Sequence, residues 1–226
     1  QKEKGVSKKD MGGLMRIAVD GPSGAGKSTI AKAVAEKLGI DYVDTGAMYR
    51  AIGYKMKREG IEADDIGRLE KMLASTDIDF VKGDIILDGE VVSDKIRTPE
   101  MSEAASVCSA LPQVREKLVD IQRDMGAKKS VIMDGRDIGN NVLKDAEHKF
   151  FLTASAEERA GRRYKELKAR GEDVSFDQVL NDIQERDHRD STRKLNPLRK
   201  AEDALEIDST GLSIDEVTEM ILKEIR

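Results

Sequence analysis

The chain has one cysteine, two histidines, four prolines and only 4% aromatic residues. A lone Cys108 can form no internal disulfide and no cysteine-based zinc site. A buried thiol is its expected state. His148 and His188 lie far apart in sequence, which argues against a histidine-rich metal site. No run approaches the ~18–20 apolar residues of a membrane span. Excess positive charge is also missing: 39 Lys and Arg face 44 Asp and Glu, a net −5. Bulk charge gives no reason to expect a nucleic acid polymer, and so few aromatic rings offer no base-stacking platform. An anionic ligand must then be held by a local cluster of arginines. Residues 1–13 are basic and polar and lack the apolar core of a signal peptide. They read as a flexible tail, with Met11 or Met15 a candidate start. A cytoplasmic protein with no membrane partner is expected.

What is present is strongly patterned. The 226 residues, 38% apolar and 37% charged, suffice for one α/β domain with a full core, spanning 14–226. Residues 16–20 read as a short apolar strand. Gly21, Pro22, Ser23, Gly24, Ala25, Gly26, Lys27, Ser28 and Thr29 follow, matching G-x-x-x-x-G-K-[ST], and 30–38 reads as an amphipathic helix. Strand, glycine-rich loop and helix N-terminus are the context of a phosphate-binding P-loop. Gly24 and Gly26 let successive N–H groups converge on one anion-sized hollow. The helix adds its positive dipole end. Lys27 reaches the outer phosphates, and the Ser28 hydroxyl is a ligand for Mg²⁺. The chain is therefore expected to bind a nucleoside triphosphate, and the open question is where the phosphate goes.

The rest alternates strand and helix. A second strand at 41–44 leads into a helix to about Glu59, with Thr45 as its expected cap and Gly60 closing it. Another short helix covers 64–75. Period-two runs at 77–81, 84–87 and 90–93, joined by Lys82-Gly83 and Asp88-Gly89, read as an antiparallel meander. It sits awkwardly in a βαβ series and reads as a mobile insertion over about 76–97. Thr98-Pro99 and Leu111-Pro112 open two helices. Strands are expected at 130–134, 149–153 and 204–208. Ser155-x-x-Glu158, Ser175-x-x-Gln178 and Ser213-x-x-Glu216 read as capping boxes. The first opens a helix carrying Arg159, Arg162, Arg163 and Arg170. The last opens a helix whose expected apolar face is Ile214, Val217, Met220, Ile221 and Ile225. Five strands separated by helices predict a doubly wound, five-stranded parallel sheet. Ligands bind such sheets at the carboxyl ends of the strands, so the P-loop, Asp44, Asp134 and Asp208 are expected to converge.

Arginines stand at those joints. Arg50 follows the second strand, Arg136 the third, and Arg186, Arg189 and Arg193 lie on or just past one helix. A hydrolase needs only the P-loop and a water. A kinase acting on a phosphorylated acceptor must neutralise a second anion, and the bidentate arginine fork suits this.

These motifs carry a family resemblance. Asp-Gly-Pro-Ser-Gly-Ala-Gly-Lys-Ser-Thr, Asp-Thr-Gly-Ala-Met-Tyr-Arg, Lys-Ile-Arg-Thr-Pro-Glu, Asp-Gly-Arg-Asp-Ile-Gly and Glu-Arg-Asp-x-Arg-Asp, in order over about 15–226, resemble bacterial cytidylate kinase, a P-loop nucleoside monophosphate kinase. The resemblance implies transfer of the ATP γ-phosphoryl group, with Mg²⁺, to CMP or dCMP. It places Ser106, Arg115 and Asp137 at the cytosine ring, and Arg50, Arg136 and Arg193 around the acceptor phosphate. Arg186 and Asp190 match the pair holding the sugar hydroxyls. Thr45 stands where the family often has serine and keeps the hydroxyl on the acceptor side. Arg162 matches a lid arginine near adenine. Lys27, Arg136 and Arg193 then carry the catalytic charge. The meander corresponds to the monophosphate-side insertion and about 156–174 to a lid. Asp134 either orients Mg²⁺ through water or is structural. A monomer is the default. The competing readings are another acceptor, such as UMP or a small molecule, and a P-loop switch that hydrolyses its nucleotide slowly.

Overall fold

The computed structural model describes residues 13–81 and 83–225, so the tail read over 1–13 lies outside it except for Gly13. Strands β1 (Arg16–Asp20) and β6 (Val131–Gly135) are apolar nearly throughout and buried on both faces. Such strands belong at the centre of a parallel sheet. They pair directly, Asp20 opposite Gly135. With β2 (Asp41–Asp44), β7 (His148–Thr153) and β8 (Leu205–Asp208) they form a parallel five-stranded sheet in the order β2-β6-β1-β7-β8. This is the expected architecture.

The pleat assigns the two faces. Ile17 and Val19 of β1 pack with Ile30 and Val34 of α1 (Lys27–Leu38) and Val217 and Ile221 of α8 (Ile214–Ile225). Ala18, between them, joins the opposite core with Met48 and Ile52 of α2 (Thr45–Glu59) and Val114 and Leu118 of α5 (Pro112–Lys128). Period-two alternation thus places helices on both faces.

Between α2 and α5 run α3 (Ile66–Ala74), the antiparallel sheet β3 (Ile78–Val81), β4 (Asp84–Leu87) and β5 (Glu90–Val91), and α4 (Pro99–Cys108). The third strand is shorter than its sequence pattern predicts. Ile78, Ile85 and Leu87 turn one face of this sheet into the core of α2 and α5. Buried Lys55 of α2 pins the sheet, donating to Thr76 Oγ1 at 3.0 Å and pairing with Asp88 at 2.6 Å. Helices α6 (Ala156–Ala169) and α7 (Phe176–Thr192) form a small core of their own from Ala160, Leu167, Val179 and Ile183.

Three local expectations change. Asp44, not Thr45, caps α2: its carboxylate accepts from Ala47 N–H at 2.8 Å, while Thr45 is already helical and donates to Asp134 O at 2.6 Å. The box at Ser155 is half formed, because Glu158 pairs with Arg162 and not with the Ser155 backbone. The boxes at Ser175 and Ser213 are reciprocal. On α8, Met220 faces solvent and Ile214 is partly exposed; Val217, Thr218, Ile221 and Leu222 are the buried positions.

Candidate active site

The P-loop is shaped by three glycines with positive φ: Gly21 (148°), Gly24 (76°) and Gly26 (85°). Gly21 admits nothing larger, since a Cβ there would sit 2.1 Å from Leu152 O on the adjoining strand. Gly26 precedes α1 with no side-chain cap. The first-turn N–H groups therefore keep their hydrogen-bonding capacity for an anion. Lys27 is buried and its Nζ curls back onto Pro22 O at 2.7 Å. Burial and the nearby Arg136 and Arg186 guanidinium groups pull its pKa down. Thr29 points outward and is exposed.

Asp134 stands at the end of β6, buried beside this loop. Its Oδ2 accepts from Ser28 Oγ at 2.9 Å and its Oδ1 from Tyr42 OH at 2.8 Å. Burial, reinforced by Asp44, pushes its pKa up.

A cleft of about 850 Å³ opens from the P-loop across the sheet's carboxyl edge to α4 and α7. On the side away from the P-loop lies a buried charge cluster. Asp137 Oδ2 accepts from Arg115 Nη2 at 2.5 Å and from Asn141 Nδ2 at 3.2 Å, and its Oδ1 from Arg193 Nη2 at 3.3 Å. Arg115 also donates to Ser109 O and stacks 5.6 Å from the Tyr49 ring centre. Arg136 Nε donates to Asp190 Oδ2 at 2.9 Å, and Arg50 pairs with Asp44 at 2.9 Å. Arg186 is enclosed, with no partner for its Nε. Desolvation and the cations Arg136, Arg50 and Arg189 push its pKa down to about 10. Thr45, Arg50, Ser106, Arg115, Arg136, Asp137, Arg186, Asp190 and Arg193 thus all line one cleft with Lys27 and Ser28.

Comparison with known proteins fits this arrangement. The cytidylate kinase family model matches residues 17–226. The chain belongs to the cytidylate kinase family. It is 54% identical over 213 residues to the cytidylate kinase of Caldicellulosiruptor saccharolyticus, covering 92% of this chain and 94% of that one. The enzyme of that name from Clostridium perfringens is 51% identical over 211 residues, covering 93% and 97%. Among solved structures, a gluconokinase from Sinorhizobium meliloti is 15% identical with a TM-score of 0.50, covering 92% and 90%. That likeness concerns the fold alone.

One expected convergence does not occur. Asp208 lies at the end of the edge strand β8, exposed, and accepts from Thr210 N–H at 2.9 Å. It does not line the cleft, because β8 stands two strands away from β1. Arg162 lies off the cleft wall on the P-loop side, donating to Glu158 and to Ser209 O, behind Gly26.

Sequence reasoning missed two residues, Arg159 and Asp20, and the partner of Arg189. Arg159 is 4% exposed and donates to Ser23 O, Ala154 O and both oxygens of Asp187, fastening the P-loop to α7. Arg189 of α7 makes a forked pair with Glu103 of α4 across the cleft mouth. Asp20 is buried on the turn after Asp137. Nothing local separates Arg159 from its three neighbouring arginines. Asp20 had one available signal, a carboxylate ending an otherwise apolar strand.

Proposed function

We propose that this cleft transfers the γ-phosphoryl group of ATP to CMP or dCMP, giving ADP and CDP or dCDP. The observation carrying the reading is the buried Arg115–Asp137–Arg193 cluster facing the P-loop across one cleft. A nucleotide-hydrolysing switch has no use for a second, arginine-lined subsite.

Residues 21–29 hold the ATP phosphates, and Lys27 neutralises the outer ones. Arg162, beside Ser209 and Gly26, belongs to the adenine side. Arg50, Arg136 and Arg193 take the acceptor phosphate. Arg186 and Asp190 hold the sugar hydroxyls. Cytosine presents acceptors at O2 and N3 and a donor at its 4-amino group. Arg115, assisted by Ser106, donates to the first two, and Asp137 accepts from the third. Uracil would present a carbonyl to that carboxylate, and two facing acceptors discriminate strongly. Thr45 holds the β6 end at the acceptor side through Asp134 O.

The Ser28 hydroxyl and Asp134 carboxylate are adjacent hard oxygen donors, the chemistry Mg²⁺ selects. They would hold the ion, Asp134 through water. Bound with ATP, it neutralises charge on the β- and γ-phosphates. The reaction needs no protein nucleophile: acceptor phosphate oxygen attacks in line while Lys27, Arg136 and Arg193 stabilise the charge. Movement of the meander (76–97) and the lid (156–174) excludes water and suppresses hydrolysis. The reading takes the protein as a cytoplasmic monomer in pyrimidine nucleotide metabolism. Among the described residues no helix is long and apolar enough to cross a membrane.

The test is ADP release from Mg-ATP with CMP, dCMP, UMP and AMP offered separately. Strong dependence on CMP or dCMP is expected. Equal release without an acceptor would leave the P-loop and remove the kinase reading.

A further inference from the structure

The residues after Asp137 form a single π-helical turn, Ile138–Val142, closed by Leu143 N–H to Ile138 O at 2.8 Å. Such one-turn elements are rare and have little intrinsic stability. Asp137 occupies the position before the turn, where an aspartate ordinarily bends its carboxylate onto the N–H groups that follow. It does not: the Asp137 side chain makes no capping bond. Its oxygens face the cleft, engaged by Arg115, Arg193 and Asn141.

The orphaned N–H groups are taken by a different aspartate. Ile138 N–H and Gly139 N–H donate to the two carboxylate oxygens of Asp20, each at 2.8 Å. Asp20 ends β1, one residue before the P-loop, and is buried. The fit is close. A Cβ on Gly139 would lie 3.4 Å from Asp20 Oδ2 and 3.2 Å from Lys149 Cδ.

We propose that Asp20 is a specificity-positioning residue. It caps the turn in place of Asp137 and so leaves the Asp137 carboxylate directed into the cleft to read the acceptor base. This rests on Asp137 being the carboxylate that accepts from the cytosine 4-amino group. Asp20 touches no reacting atom; it acts through the backbone of 138 and 139. When Asp20 no longer supplies two acceptors, one N–H at the turn lacks a partner. The nearest substitute is the Asp137 side chain, which then turns away from the cleft.

The experiment compares kcat/KM for CMP and UMP in the full chain, in Asp20→Asn and in Asp137→Asn. Asparagine keeps the shape of Asp20 but offers one acceptor and a competing amide donor. Asp20→Asn is expected to lower the CMP-to-UMP ratio about tenfold, mainly through KM for CMP, and Asp137→Asn to lower it further. A folded Asp20→Asn protein with an unchanged ratio overturns the proposal, even where its melting temperature moves. An unchanged ratio in Asp137→Asn overturns the base-reading assignment beneath it. A second measurement uses the unaltered protein. Amide exchange at Ile138 and Gly139 as slow as in β1 and β6, with and without CMP, supports the clamp; fast exchange at both overturns it.

Discussion

Arg159 is the group whose removal is expected to disturb both halves of the cleft at once. Its guanidinium donates from Nε to Ala154 O at 2.9 Å, from Nη1 to Ser23 O at 3.0 Å, and to the Asp187 oxygens at 3.1 and 2.6 Å. These bonds join the P-loop, the turn entering α6, and α7, which carries Arg186 and Asp190. Arg159→Met keeps much of the stem volume that packs over Gly24 and removes the charge. Breaking a fully buried ion pair costs about 3–5 kcal/mol. Here the Asp187 side chain is 27% exposed and can rehydrate, so the cost falls to about 2–3 kcal/mol. At ~2–4 °C per kcal/mol for a chain of this length, the melting temperature drops by roughly 5–10 °C. Asp187→Asn keeps an acceptor and is expected to cost about 1 kcal/mol. The double variant should reveal a coupling of about 1 kcal/mol. Urea titration followed by circular dichroism measures the cycle, and steady-state kinetics measures its effect on the cleft. KM for ATP and for CMP should both rise in Arg159→Met, because one guanidinium holds a P-loop carbonyl and the helix that carries Arg186 and Asp190. A melting temperature within about 1 °C of the parent, with both KM values unmoved, would refute this account.

Gly53→Ala should lower stability by ~1–3 kcal/mol, measured by thermal melting, because a Cβ there meets Ala104 Cβ at 2.8 Å where α2 crosses α4. Helix propensity alone predicts the opposite sign, a gain of about 1 kcal/mol. Thr45→Val removes the donor to buried Asp134 O and should cost ~1–3 kcal/mol in urea, whereas Thr45→Ser should cost less. Asp20 provides a pH test. Burial, opposed by the two N–H groups, raises its pKa from 3.8 to about 6, with Asp137 raising it further and Lys27 lowering it. The folded state therefore binds this proton more tightly than the unfolded chain. The resulting stability is fully present below pH 3.8 and is lost as pH rises through about 6, roughly 3 kcal/mol in all. The stability difference between Asp20→Asn and the parent should accordingly shift in favour of the variant across that interval; a difference independent of pH would contradict it.

What was legible in the chain was whatever depends on local pattern. Gly21, Gly24 and Gly26 between an apolar strand and a helix fix a P-loop because few other conformations satisfy them. Five apolar runs alternating with helices fix the sheet. What was hidden depends on partners far away in sequence. Asp44 and Thr45 are adjacent, and either can cap a helix; the choice is made by Asp134 O, which claims the threonine hydroxyl. Asp208 has the same strand-end position as Asp134, but strand order is a tertiary fact, and it leaves β8 at the edge. Arg159 differs from Arg162 only in what its turn of helix faces.

The distribution of charge explains why so much of this site is costly to the fold. The chain is net −5, yet its cleft gathers Lys27, Arg50, Arg136, Arg186 and Arg193. Asp44, Asp134, Asp137 and Asp190 line the same cleft, so its cations are interleaved with carboxylates. Lys27 and Arg186 nonetheless have lowered pKa values, each depressed by burial and by neighbouring cations. Groups in that condition gain from any anion placed among them, and the gain is greatest where water is excluded. On the proposed reading, phosphates arriving from the P-loop side and from the α4–α7 side would relieve the same cations. Each therefore alters the field in which the other is held. On the proposed reading, Lys27 and Arg186, whose charged forms burial disfavours, are the groups that gain most from an arriving phosphate.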